Sequence, residues 1–115
     1  ILGLSYKVST NSIKNSPSID LIKKLKNYDI RVFDPILKTL SNFSNVKISN
    51  SLKEAVCNCD VLFIMIPCEE FKELNNAEFF KLIKNKILID PYRVIDTGKF
   101  HPNKHFVLGK SYTLD

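Results

Sequence analysis

Val61-Leu62-Phe63-Ile64-Met65-Ile66, closed by Pro67, is the longest apolar run of the chain. Six residues of this kind suit a strand buried on both faces, the form that strands take in a parallel sheet. A membrane span would need about twenty. Short apolar runs recur outward from it: Ile1 to Tyr6, Ile30-Arg31-Val32-Phe33, Val46 to Ile48, Ile87-Leu88-Ile89 and Phe106-Val107-Leu108. Two of them stop at Asp-Pro pairs, Asp34-Pro35 and Asp90-Pro91, as a residue before proline is steered away from helix.

The segments between these strands carry helical signals. Ser16-Pro17 reads as a helix cap followed by proline at the first helical position. Behind it Ile19, Ile22, Leu25 and Tyr28 recur every three residues beside Leu21, which predicts an amphipathic helix over 17–27. Ser51 with Glu54 forms a capping box for a helix whose apolar face is Leu52, Ala55 and Val56. Phe71, Leu74, Phe79, Leu82 and Ile83 suggest a helical region broken near Asn75-Asn76. Ile36 to Asn45 reads as a helical turn and then loop. Strands alternating with helices predict an α/β fold, a Rossmann-like three-layer sandwich with a mainly parallel sheet of about five or six strands. Its 115 residues form one domain, 1–115. Ligands of such sheets bind outside the carboxyl ends of the strands, which points to Tyr6-Lys7, Asp34, Pro67-Cys68 and the stretch from Asp90 to Arg93.

Composition narrows the function. Net charge is +5, from 17 basic and 12 acidic residues, and only Arg31 and Arg93 are arginines. The lysines are scattered without a basic-aromatic cluster, which argues against nucleic acid and leaves room for a small anionic ligand. No targeting pattern or membrane span is visible, and the three cysteines make a reduced, cytoplasmic setting the simplest expectation. Cys57, Cys59 and Cys68 form no ligand quartet, and Pro102 separates His101 from His105, so no metal site is expected. A dinucleotide fingerprint needs a glycine-rich first turn. Gly3, Gly98 and Gly109 do not supply one.

The turn after the first strand runs Lys7-Val8-Ser9-Thr10-Asn11-Ser12-Ile13-Lys14-Asn15-Ser16-Pro17. With Gly3-Leu4-Ser5-Tyr6-Lys7 before it, it resembles the UDP-glucose/GDP-mannose dehydrogenase family, whose third domain opens on a pattern like GLAFKxxTDDxRxSP. The likeness continues in order through Val32-Phe33-Asp34-Pro35, Cys59 to Ile64, Glu69-Glu70-Phe71, Ile89-Asp90 to Asp96, and Gly109. It departs where the family's two acidic residues are Asn11 and Ser12, where its arginine is Lys14, and where the D-x-R arginine is Tyr92 with Arg93 one place later.

The resemblance implies the UDP-binding, C-terminal domain of a longer NAD-dependent enzyme that oxidises the C6 alcohol of a UDP-sugar to a carboxylate. Lys7 matches the lysine that reaches the nucleotide sugar, with Arg93 and Tyr92 as further substrate contacts. Lys14 matches the arginine that reaches NAD. NAD itself would be bound mainly by a missing N-terminal domain, and a central domain would supply the catalytic cysteine. Cys68 does not stand at that cysteine's position. No catalytic residue is therefore expected here, and the chain alone is expected to be inactive. The whole enzyme is expected to be a homodimer. The departures motivate an alternative, a degenerate or regulatory nucleotide-binding domain.

Overall fold

The computed structural model describes residues 1–4, 16–40, 43–107 and 110–113, the last four by their backbone alone. The helices are α1 (Pro17–Lys24), α2 (Leu52–Val56) and α3 (Ala77–Phe80), with a 3-10 helix over Glu69–Asn75. The strands are β1 (Ile30–Val32), β2 (Val46–Ile48), β3 (Val61–Phe63), β4 (Ile87–Ile89), β5 (Lys104–Val107) and β6 (Lys110–Thr113).

β1 and β2 form one parallel ladder, and β3, β4, β5 and β6 form another, parallel except at its β5–β6 edge. The Ile1–Leu4 segment joins them. Leu2 pairs in parallel with Phe33 beyond β1 and with Ile64 beyond β3. Four bonds secure it: Leu2 N–H to Phe63 O, Gly3 N–H to Phe33 O, Phe33 N–H to Ile1 O and Met65 N–H to Leu2 O, each between 2.8 and 3.0 Å. The spatial order is β2, β1, Ile1–Leu4, β3, β4, β5, β6. Chain order reverses between Ile1–Leu4 and β3, the kind of switch point at which open α/β sheets hold ligands.

The apolar side chains divide over the two faces of this sheet. Leu62, Ile64 and Ile66 point into one core with Leu52, Val56, Phe71, Leu74 and Ile83. Phe63 and Met65 face the other core, with Ile22 of α1, Ile30 and Val32. Strand period two produces this split, and it makes three layers. Leu4 breaks the alternation. In a regular strand it would share Leu2's face, yet it packs with Ile1 on the α1 side. The cause is Gly3, whose φ of 96° lies in a region that side chains other than hydrogen rarely enter.

The structure adjusts several boundaries. α1 ends at Lys24, with turn geometry to Lys26-Asn27, three residues short of the expected span. Asn45 explains the early stop: its side-chain amide donates to the Leu25 and Tyr28 carbonyls at 3.0 and 2.8 Å, which removes the need for another helical turn. No helix forms over 36–40. The break at Asn75-Asn76 is real, because Asn76 caps α3 by accepting from the Glu78 N–H at 2.8 Å. β6 was not expected at all.

One outcome tests this packing. A Cβ at Gly3 would lie 2.5 Å from Ile66 Cγ1. With the backbone strain added, Gly3→Ala should cost about 2–4 kcal/mol in a urea or thermal unfolding series.

Candidate functional site

The carboxyl edge of the sheet is built from four strand ends. At the first, Leu4 leads into residues 5–15 and the chain returns at Ser16. Ser16 caps α1, accepting from the Ser18 N–H at 3.2 Å, while its hydroxyl donates to the Leu4 carbonyl. The Ser18 hydroxyl donates to the Gly3 carbonyl. Serine is favoured at such a cap because its oxygen satisfies an orphan N–H of the first turn. Here the same cap also closes the base of the 5–15 segment.

Asp34 stands at the second strand end and is 2% exposed. Its Oδ2 accepts from the Leu4 N–H at 2.8 Å, and its Oδ1 accepts from the Ile36 and Leu37 N–H groups, both at 2.9 Å. One carboxylate thus fixes the turn after β1 and the mouth of the 5–15 segment together. The third end is Ile66-Pro67-Cys68. Cys68 is half-buried against the core beside Phe71, the environment of a structural thiol. Burial pushes the Cys59 thiol up from its ordinary value, which keeps it protonated and unreactive.

Asp90 ends β4 and is fully buried. Its Oδ1 accepts from the Val94 N–H at 2.8 Å, and its Oδ2 from the Ile95 N–H at 2.9 Å. The His105 ring of β5 lies 2.9 Å away through Nε2, which donates to Oδ2. Asp34 and Asp90 therefore both direct their carboxylate oxygens at protein donors.

Tyr92 and Arg93 sit outside this buried frame, both exposed, with Tyr92 at 47%. Arg93 has a φ of 55°, left-handed and uncommon for a residue other than glycine or asparagine. Among the described residues no ion pair engages it. Arg31 differs: its guanidinium donates to the Glu54 and Cys57 carbonyls at 2.8 and 2.7 Å and so caps α2. Lys7, Thr10 and Lys14 lie outside the described residues. The structure brings the base of their segment, Asp34 and the 90–95 loop to one edge of the sheet. His101 is exposed and His105 is buried in β5, so the two histidines do not converge. Among the described residues no three metal-ligating side chains come together, and no helix is long and apolar enough to cross a membrane.

A groove of about 790 Å³ lies at the opposite, amino edge, past Ile1, Tyr28, Asp29, Asn45, Asp60 and Val61. It is larger than a smaller neighbour of about 620 Å³ beside Arg31 and Ser51. Neither groove is lined by the exposed Arg93, or by Asp34, Pro67 or Asp90 at the far end of the strands, so the carboxyl edge remains the candidate site.

Reading the residues one by one missed His105 and Asn75 as members of this edge. The signal available was that a buried Asp at a strand end requires a donor on the neighbouring strand.

The chain is similar to known proteins over most of its length. The model of the UDP-glucose/GDP-mannose dehydrogenase family, UDP binding domain, matches residues 1–97. A UDP-glucose 6-dehydrogenase of Rickettsia conorii is 37% identical over 102 residues, covering 84% of this chain and 24% of that protein. A UDP-N-acetyl-D-mannosamine dehydrogenase of Pyrococcus horikoshii is 29% identical over 97 residues. The solved structure of a UDP-D-ManNAc dehydrogenase from that organism superposes with a TM-score of 0.72 at 27% identity, over 94% of this chain and 24% of that one. The chain therefore spans about a quarter of the length of these relatives.

Asp34→Ala should leave the Leu4, Ile36 and Leu37 N–H groups without their acceptor. The expected loss is about 3 kcal/mol in denaturant unfolding. Asp29→Ala, on the exposed amino edge, should change stability by less than about 0.5 kcal/mol.

Proposed function

The chain belongs to the UDP-glucose/GDP-mannose dehydrogenase family, as its UDP binding domain, and from that premise we propose that it holds the diphosphate of a UDP-sugar at the carboxyl edge. The whole protein would be an NAD-dependent nucleotide-sugar 6-dehydrogenase that oxidises the sugar C6 alcohol to a carboxylate. What carries the reading is a coincidence: the match to a UDP binding domain falls on a chain whose exposed arginine stands where parallel sheets take ligands.

The chemistry asked of this domain is recognition. A diphosphate needs cationic donors, and a guanidinium offers a planar fork of N–H groups that fits phosphate oxygens in pairs. Arg93 would supply the fork and Lys7 a point charge from the segment whose base Ser16 and Asp34 close. Tyr92, beside Arg93, would offer its ring and hydroxyl to the nucleoside.

NAD has no cradle among the described residues. Gly3, the one glycine near the first turn, is pressed against Ile66, too tightly for the close backbone approach that a pyrophosphate requires. The dinucleotide would be bound mainly by other domains of the same longer chain, which would also carry the catalytic cysteine. Lys14 would add one charge toward it. A cytoplasmic homodimer is the assembly this reading implies.

The test uses the whole protein and separates the two lysines. Lys7→Ala should raise the Michaelis constant for the UDP-sugar about tenfold and leave that for NAD nearly unchanged. Lys14→Ala should do the reverse. A lost charge-assisted contact is worth about 1.5–3 kcal/mol, with lysine's single charge at the lower end. No effect of Lys7→Ala on the UDP-sugar would favour the degenerate-domain alternative that Asn11, Ser12, Lys14 and Tyr92 motivate. Equal effects of Lys14→Ala on both ligands would remove its assigned role.

A further inference from the structure

The 90–96 loop is held more firmly than the end of a strand requires. Asp90 grips it from within, through the Val94 and Ile95 N–H groups. Asn75, the last residue of the 3-10 helix, grips it from outside. Its amide donates to the Val94 carbonyl at 2.8 Å and its Oδ1 accepts from the Asp96 N–H at 2.6 Å. His105 reaches across from β5 to the Asp90 carboxylate, with both side chains almost wholly buried. Three elements thus converge on seven residues. The Val94 and Ile95 side chains are sunk in the core, 8% and 3% exposed. Tyr92 and Arg93, just before them, are left outside.

Arg93 shows what this bracing achieves. Its left-handed backbone is strained for a side chain with a Cβ, whereas glycine would adopt it without penalty. Such a conformation persists only where the surroundings over-determine it. Here the Arg93 N–H bonds the Asp90 carbonyl at 3.2 Å, and the next two N–H groups go to the Asp90 carboxylate. Both flanks of the arginine are fixed before any ligand arrives.

We propose that Asp90 and His105 are positioning residues for Arg93: the pair locks the 90–95 loop so that the guanidinium is presented to the diphosphate in one orientation. The proposal rests on the reading of Arg93 as a diphosphate contact. A guanidinium that pairs two phosphate oxygens depends on direction, and a loop already in its binding shape loses less freedom on association. His105 acts at one remove. By donating to Oδ2 it sets the rotation of the carboxylate, and with it the aim of Oδ1 and Oδ2 at the Val94 and Ile95 N–H groups. Without that donor the loop samples other shapes, and apparent affinity falls with the fraction that remains competent.

The test measures UDP affinity of the whole protein by titration calorimetry, with thermal unfolding to confirm that each variant is folded. Arg93→Ala should weaken UDP about tenfold. His105→Leu should weaken it about three- to tenfold, and His105→Gln, whose amide nitrogen takes the place of Nε2, should restore binding to within about twofold. The deciding variant is the double one. If His105 works through Arg93, His105→Leu has no further effect once Arg93 is alanine. Asn75→Ser, which loosens the same loop from outside, should behave alike and serves where His105→Leu does not fold. Losses that multiply in the double variant, or a folded His105→Leu that binds UDP normally, would overturn the positioning role while leaving Arg93 as a contact. Normal UDP binding by Arg93→Ala would instead remove the reading beneath it, and the positioning role with it.

Discussion

The pairing of Leu2 with Phe33 on one side and Ile64 on the other is the constraint on which the rest of the structure depends. Without it there are two short ladders, one of two strands and one of four, each too narrow to cover a core with both faces. With it the sheet is continuous and its chain order reverses beside the first strand. Register is strict here, since a slip of one residue would exchange Ile1 and Leu2 between opposite cores. Gly3 then permits the one departure from strand geometry that the edge requires. By rotating Leu4 toward α1, it leaves the Leu4 N–H for Asp34 and the Leu4 carbonyl for Ser16. The base of the 5–15 segment is consequently fixed at Leu4, two residues beyond the one that completes the sheet.

Much of this was legible in the residues. The 61–66 run is apolar at every position because both of its faces are covered, and β3 begins at Val61. Ser16 and Ser51 both cap as read, because a hydroxyl before a helical run has few other uses. What escaped reading depended on distant partners. The early end of α1 follows from Asn45, some twenty residues away, whose amide accepts no helical pattern as a clue. β6 follows from an edge: Lys110–Thr113 pairs back antiparallel on β5, and an edge strand need not be apolar. At the candidate site, Asp90 and Arg93 stood out as residue types, but His105 did not. Its partner is fixed by the parallel register of β4 on β5, which sets Leu88 opposite His105.

The two Asp-Pro pairs show one solution used twice. Proline after the strand has no N–H to satisfy, so the following donors become the problem. At Asp34 they are the second and third residues on; at Asp90 they are the fourth and fifth. The wider reach at Asp90 encloses a longer loop, and that loop is the one that leaves an arginine exposed. An acid at the carboxyl end of a strand invites reading as a ligand contact. Here each is committed to shaping backbone.

The displacement of the family's D-x-R arginine by one place can be understood on the same footing. Neighbouring side chains on an extended loop point in different directions, so a charge moved from position 92 to position 93 would ordinarily face elsewhere. The backbone at 93 is not extended. Its φ of 55° turns the chain between an exposed Tyr92 and a buried Val94, and the aim of the guanidinium is set by that turn more than by its place in the sequence. A glycine there would make the same turn at less cost but carry no charge. The strain at Arg93 is therefore the physical counterpart of the shifted arginine, and it is sustained by bonds from Asp90 and Asn75, with His105 bracing the Asp90 carboxylate.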